Sequence, residues 1–322
     1  MRAVQVVEAI GPDGVRVVDV PEPDPAGLVV VDLDAAGVSF PDLLQTSGSY
    51  QVVRPVPFTP GVEGAGIVRD APSDSGFRSG DRVAVLAFGG AWQRTVAVPA
   101  AAVFRLPDAV SLTAGAGFLM NYFTAHFALT ERAGCRPGDT VLVHGAAGGL
   151  GTASLQVAAA LGLDTIAVVS TEEKGRVAAA HRATHTVLAD GFKGAVAEIT
   201  GGRGVDIVLD PVGGDRFLDS LRSLAVGGRH VVLGFTGGEI PTVKVNRLLL
   251  KNISVLGAGW GEYLREDLGY PARQWAELEP LLASGVLRVA EPVLHPIGRA
   301  ADALRSLESR GATGKVALDL RP

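Results

Sequence analysis

One stretch of this chain constrains its fold more than any other. The apolar run Thr140-Val141-Leu142-Val143-His144 passes directly into Gly145-Ala146-Ala147-Gly148-Gly149-Leu150-Gly151, and a helical pattern opens at Thr152 and continues through Leu155, Ala159 and Leu161. Strand, glycine-rich turn and helix make a phosphate cradle. Small residues let the backbone approach a pyrophosphate closely, and the helix N-terminus presents free N–H groups and the positive end of its dipole. The pattern is not a strict G-x-G-x-x-G, because Ala146 holds the first glycine position, with Gly148 and Gly151 at the second and third. A glycine turn alone is weak evidence for a ligand; here a strand precedes it, a helix follows it, and the alternation continues beyond.

That alternation predicts a fold class. Strand-like runs at 141–143, 165–169, 186–188, 205–209 and 230–233 are separated by helical segments such as 174–181 and 215–224, and a last strand at 252–256 closes the series. This is the signature of a parallel, doubly wound sheet. The first hundred residues read differently. Short Val-rich runs at 4–7, 15–20, 28–33, 64–68, 82–86 and 94–98 are punctuated by Pro, Gly and Asp, which predicts a barrel-like β domain. A helical stretch over 111–129 follows, with Ser111 as its N-cap. An amphipathic helix over 297–310 and a strand over 315–320 are expected to rejoin the β domain. The expected division is therefore 1–120 with 259–322 in one domain and 121–258 in the other.

Composition narrows the function classes. With 47% hydrophobic and 20% charged residues, the 322-residue chain can bury sizeable cores. A net charge of −5 with no dense Lys/Arg run argues against nucleic acid or an anionic membrane as the main partner. The single cysteine, Cys135, allows no internal disulfide and fits a reducing compartment. No stretch approaches the ~20 apolar residues of a membrane span, and the first residues lack a signal peptide's apolar core. A soluble, cytoplasmic protein is expected. Metal chemistry is not: a zinc site needs three or four ligands, and neither the lone cysteine nor the six histidines have ligand spacing.

The end of the second strand of the parallel sheet distinguishes NAD from NADP, since an acidic residue there would bind a ribose 2′-hydroxyl. Counting 19 residues on from Gly151 reaches Ser170, followed by Thr171, with Lys174 and Arg176 just beyond. Hydroxyls and a cation suit a 2′-phosphate. The same Ser170 or Thr171 can cap a helix whose first turn, Glu172 and Glu173, points to solvent. Two further glycine-rich loops, Asp210-Pro211-Val212-Gly213-Gly214 and Gly234-Phe235-Thr236-Gly237-Gly238, follow the fourth and fifth strands. Ligands of open α/β sheets lie at the C-terminal strand ends, which places both loops beside the nicotinamide ribose and ring. The apolar run 252–257 reads as an edge strand open to pairing with a symmetry mate, so a homodimer is expected.

The stretches Ala36-Gly37-Val38-Ser39-Phe40-Pro41-Asp42, Pro60-Gly61-Val62-Glu63-Gly64-Ala65-Gly66, Gly80-Asp81-Arg82-Val83 and Gly314-Lys315-Val316, with the cradle at 146–151, occur in the order seen in one family. Across essentially its whole length the chain resembles the zinc-free quinone oxidoreductases, the zeta-crystallin-like branch of the medium-chain dehydrogenase/reductase superfamily. The resemblance implies a GroES-like β-barrel domain joined to a doubly wound parallel-sheet (Rossmann) NADP-binding domain, a cleft between them, and NADPH as hydride donor. It implies pyrophosphate contacts at Gly148, Gly149 and Leu150, a 2′-phosphate site at Ser170 and Lys174, and nicotinamide contacts at Asn121, Thr124, Val212 and Phe235, with Thr236 alongside. It also implies a homodimer. The chain departs from the family where Ser39 replaces an asparagine and Leu44 a tyrosine. Tyr50 matches the other cleft tyrosine, which enoyl-thioester reductases of the superfamily share.

Together these readings predict an NADPH-dependent, metal-free reductase of quinones or conjugated enones. Tyr50, Ser39 and backbone amides are the candidate donors to the developing oxyanion. The alternatives are a 2-enoyl-thioester reductase and, from another class, a non-catalytic NADPH-binding redox sensor or structural protein.

Overall fold

The computed structural model describes residues 1–321 and forms two compact units, one of Met1–Met120 together with the chain from Gly269 onward, the other of Asn121–Leu268. The first unit begins with an antiparallel pair, β1 (Arg2–Val6) and β2 (Val15–Asp19). Then follow β3 (Val29–Val38), β4 (Glu63–Asp70), β5 (Arg82–Leu86), β6 (Thr95–Val98) and β7 (Val103–Arg105). Ten-residue β3 organises this unit. Its first half pairs with β6, and along its other edge it pairs with β4, with register shifts at Val30/Val31 and Leu33/Ala35. Such shifts bend a strand and let a sheet curl around its own core. That core gathers Val4, Val31, Leu33, Val83, Val85 and Trp92, with the Trp92 indole N–H donating to the Gly37 carbonyl at 3.0 Å.

The second unit is a six-stranded, all-parallel sheet made of β8 (Thr140–His144), β9 (Asp164–Val169), β10 (His185–Leu188), β11 (Val205–Asp210), β12 (Leu224–Val232) and β13 (Ser254–Gly257). Its strand order is β10-β9-β8-β11-β12-β13. The chain winds outward from β8 to β10, then returns to the other side of β8 and winds outward to β13. The crevice where the winding reverses lies between β8 and β11, at their C-terminal ends, which is where open α/β sheets hold ligands. Leu142, Ile166, Val168, Val208 and Phe217 fill the core on one face. After Gly269 the chain supplies β14 (Val293–Pro296) and β15 (Val316–Asp319), and β15 runs antiparallel to the second half of β3.

Three elements differ from expectation. The apolar stretch 111–129 is not one helix. Ser111 does cap a first turn, its hydroxyl accepting from the Ala114 amide at 3.0 Å, but that turn, Leu112–Gly115, stops before Leu119–Phe127 begins. Gly115 and Gly117 sit at the break, where helix propensity is weakest. The edge strand starts at Ser254 because Asn252, left-handed with φ of 52°, closes a short helix, Asn246–Lys251. The helix expected over 297–310 begins as a 3₁₀ turn, Ile297–Arg299, and is α-helical only over Ala300–Glu308. No helix among the described residues is long and apolar enough to cross a membrane.

Candidate functional site

The cradle forms where the sequence places it. β8 ends at His144, Gly145 turns the chain with φ of 60°, and the helix Gly149–Ala160 starts from Gly148 with no side chain capping it. The amides of Gly149 and Leu150 therefore point out of the helix without an intrahelical partner, as the first amides of any helix do. Gly151 shows why the third glycine is needed: a Cβ there would lie 2.3 Å from the Gly145 carbonyl oxygen and 2.6 Å from Ala146 Cα. At Gly148, by contrast, the nearest atom to an added Cβ is 3.5 Å away. The helix packs tightly onto the turn at Gly151 and leaves room at Gly148, a shape that admits a pyrophosphate.

At the end of β9, Ser170 is exposed and Thr171 caps the helix Glu172–Ala180, its hydroxyl accepting from the Lys174 amide at 3.3 Å. Glu172, Glu173 and Arg176 are exposed, and Lys174 is half-buried. One hydroxyl serves the helix, while Ser170 and Lys174 flank it at the strand end.

Asn121 and Thr124 lie one turn apart on the helix Leu119–Phe127, and both are buried. Thr124 Oγ1 has no hydrogen-bond partner in the protein. A buried hydroxyl left so is costly, and a ligand would relieve it. Tyr122, between them, accepts a hydrogen bond from Gln156 of the cradle helix at 3.0 Å, and burial holds its phenol well above its ordinary pKa. Gln156 carried no sequence signal for this role.

The loops after β11 and β12 come together. Backbone hydrogen bonds run from Thr236 N to Pro211 O (3.0 Å), from Gly237 N to Val212 O (2.8 Å) and from Gly214 N to Glu239 O (3.2 Å). Gly213, with φ of 66°, lies so close to Phe235 that a Cβ would meet its ring at 3.0 Å. Val212 in turn reaches the cradle, its Cγ2 lying 3.5 Å from where a Cβ on Gly145 would stand. Val212, Phe235 and Thr236 thus share one loop wall beside the glycine turn.

Beneath that wall is a buried polar cluster. Asp210 accepts from the Val212 and Gly213 amides at 2.8 and 2.9 Å and from His230 Nε2 at 3.2 Å. Burial opposes its charge, but the His230 hydrogen bond, the nearby imidazoles and the Gly213 amide outweigh it and hold the carboxyl at about 2. The Ser220 hydroxyl donates to the Arg216 carbonyl, so His144 Nε2, 2.7 Å from Ser220 Oγ, is the donor in that pair. Burial lowers His144 to about 4, so it is neutral at pH 7. Below pH 6.5 the unfolded chain gains a proton that the folded His144 refuses until about pH 4. The fold accordingly loses about 3 kcal/mol as pH falls through this window. Asp210 adds a further loss between pH 3.8 and about 2. Asp42, whose carboxyl burial pushes up, works in the opposite sense, relieving the fold as it protonates. Thermal melting should fall from pH 6.5 to 4, and His144→Gln should flatten that fall; an unchanged slope would rule out His144 as its cause.

In the first unit, Ser39 and Tyr50 flank the helix Phe40–Thr46. Ser39 is its N-cap. Its amide and hydroxyl both donate to Asp42 Oδ2, at 2.9 and 2.7 Å, and Asp42 Oδ1 accepts from the Gly61 amide at 3.2 Å. The Ser39 hydroxyl proton is therefore already donated. Tyr50 is half-buried just beyond the other end, after Gly48. A buried ion pair escaped the sequence reading: Lys315 Nζ lies 2.6 Å from Glu63 Oε1, and Glu63 Oε2 accepts from the Met120 amide, next to Asn121. Both residues sit in the glycine-rich stretches 60–66 and 314–316, far apart in the chain, so neither stretch alone announces the pair. Among the described residues no group of three or more His, Cys, Asp or Glu could hold a metal ion.

Known proteins share this architecture. Residues 25–108 match the alcohol dehydrogenase GroES-like domain and residues 149–282 the zinc-binding dehydrogenase family. The quinone oxidoreductase-like protein 2 of Rattus norvegicus is 38% identical over 297 residues, which cover 91% of this chain and 85% of the rat protein. The chain belongs to the quinone oxidoreductase-like branch of the medium-chain dehydrogenase/reductase superfamily. Two solved quinone oxidoreductases bear out the fold of this branch. That of Thermus thermophilus, described with its NADPH complex, is 36% identical, with a TM-score of 0.88 over 99% of this chain and 100% of that one. That of Escherichia coli, complexed with NADPH, is 30% identical, with a TM-score of 0.88 over the same shares. Like other members of the branch, the chain is an oxidoreductase that joins a GroES-like domain to a Rossmann-type parallel sheet.

Proposed function

We propose that this oxidoreductase uses NADPH to reduce quinones or conjugated enones without a metal. The observation that carries the reading is the uncapped helix N-terminus at Gly149, in a sheet whose second strand is followed by Ser170, where an NAD enzyme would carry an acid, and by Lys174 in the first turn of the next helix. The NADPH complexes of the two bacterial relatives support it. NADPH, when bound, supplies a hydride. The protein's part is to hold the pyrophosphate on the amides of Gly149 and Leu150 beside Gly148, to pair the 2′-phosphate with Ser170 and Lys174, and to seat the nicotinamide among Asn121, Thr124, Val212, Phe235 and Thr236. Thr124 Oγ1 gains its missing partner in the process. Tyr50 donates to the substrate oxygen as negative charge develops there, while Ser39 holds its helix through Asp42.

A second reading, reduction of 2-enoyl thioesters, is favoured by Tyr50 together with Leu44, which stands where many quinone reductases carry a tyrosine. Comparing kcat/KM across quinones, simple enones and enoyl thioesters separates the two. A preference for quinones or enones supports the main reading, and a large preference for thioesters replaces it.

The enzyme works as a homodimer through the free edge of β13. Among the described residues that strand pairs only with β12, and the helix before it exposes Leu249 and Leu250 at 75% and 77%. An apolar patch beside an open strand edge invites a second copy. Light scattering should give a dimer mass at micromolar concentration; a monomer mass would contradict the assignment.

A further inference from the structure

Asp210 and His230 lie 20 residues apart, yet one carboxylate–imidazole contact ties the roots of both loops in the wall. Val208 pairs with His230 across β11 and β12, so the sheet register itself sets His230 behind Asp210. The carboxylate directs the Val212 and Gly213 amides, and the Asp210 carbonyl accepts from Leu233 N at 2.9 Å, where the second loop departs. Asp210 is 2% exposed and His230 fully buried, with the Phe217 ring 4.6 Å from the imidazole. An asparagine could direct two amides as well as an aspartate does. It would not attract a donating imidazole, and a buried carboxylate is costly unless it is paired. The hydrogen-bonded pair therefore does more than form a turn.

We propose that Asp210 and His230 are positioning residues. They fix residues 211–214, and through the backbone ladder residues 234–239, in the one arrangement that presents Val212 and Phe235 to the nicotinamide. This rests on the NADPH reading above, but its consequence for the loops does not. Neither side chain need touch the cofactor. The 2′-phosphate site at Ser170 and Lys174 lies at the end of a different strand, β9, and is independent of the pair.

The test compares His230→Leu, His230→Gln and Asp210→Ala. A glutamine Nε2 can stand where the imidazole Nε2 stood and donate to Asp210, whereas leucine cannot. Amide hydrogen exchange in the cofactor-free protein should show residues 212, 213, 236 and 237 protected in the wild type and His230→Gln, and exposed in His230→Leu and Asp210→Ala. With NADPH and a quinone, kcat should fall about 10²-fold in the latter two, the usual cost of a small misplacement at a reacting centre. Binding of adenosine 2′,5′-bisphosphate, a probe of the β9 end alone, should not change. The proposal is overturned if His230→Leu leaves loop protection intact, if His230→Gln is as damaged as His230→Leu, or if His230→Leu abolishes bisphosphate binding, because the pair would then be holding the whole domain. A wild type that binds no NADPH would sink the cofactor reading, and the exchange experiment would still decide the role of the pair.

Discussion

Replacing Tyr50 by phenylalanine is expected to slow the reduction of enones by about 10²–10⁴-fold, the usual worth of general-acid assistance. Quinone reduction should slow much less, and NADPH affinity should hold. The asymmetry follows from the products: a quinolate is stable enough to take its proton from water, whereas an enolate needs a donor as it forms. A phenol carries its proton at neutral pH and can supply it. Ser39 cannot substitute, because its hydroxyl already donates to Asp42 at 2.7 Å. Steady-state kinetics on matched quinone and enone substrates checks this. If the variant keeps full activity on every substrate, Tyr50 is a packing residue of its loop.

Lys174→Ala should weaken NADPH binding by about 10–150-fold, the equivalent of one charge-assisted hydrogen bond of about 1.5–3 kcal/mol. NADH binding should barely change. The local geometry sharpens the expectation. Thr171 serves as the helix cap, which leaves the Ser170 hydroxyl as the one the strand end presents to a phosphate. Glu172 and Glu173 are exposed in the first turn, where water screens their charge and weakens their repulsion of an anion. Titrating both cofactors against wild type and variant checks the assignment, and equal losses for the two would remove Lys174 from the 2′-phosphate site.

The parallel sheet and its cradle were legible because their signals are local: buried apolar strands, a turn of small residues, and helices opening immediately after. The steric need for Gly151 is likewise visible in the motif. The cap at Ser39 is also written in the chain, as Ser39-Phe40-Pro41-Asp42 with its acid three residues on, a pattern that marks a helix start. A hydroxyl in such a pattern is committed to the helix before it can serve a substrate. The break at Gly115–Gly117 was only half legible: the two glycines weaken the helix there, but the stretch 111–129 is otherwise largely apolar and a single helix through it was the simpler expectation. The Asp210–His230 pair and the Glu63–Lys315 pair lay out of reach for a different reason. Each joins residues far apart in sequence, and strand register or chain return, which no local pattern encodes, brings them together.

NADPH oxidation by protein freed of metals with a chelator, followed with an electron-poor quinone and an enone as acceptors, tests metal-free hydride transfer most directly. One NADPH should be consumed per acceptor reduced, at a rate that the chelator does not alter and added zinc does not raise. Tight NADPH binding with no turnover of any acceptor would make the protein a sensor or structural binder, and activity lost on chelation and restored by zinc would contradict hydride transfer without a metal.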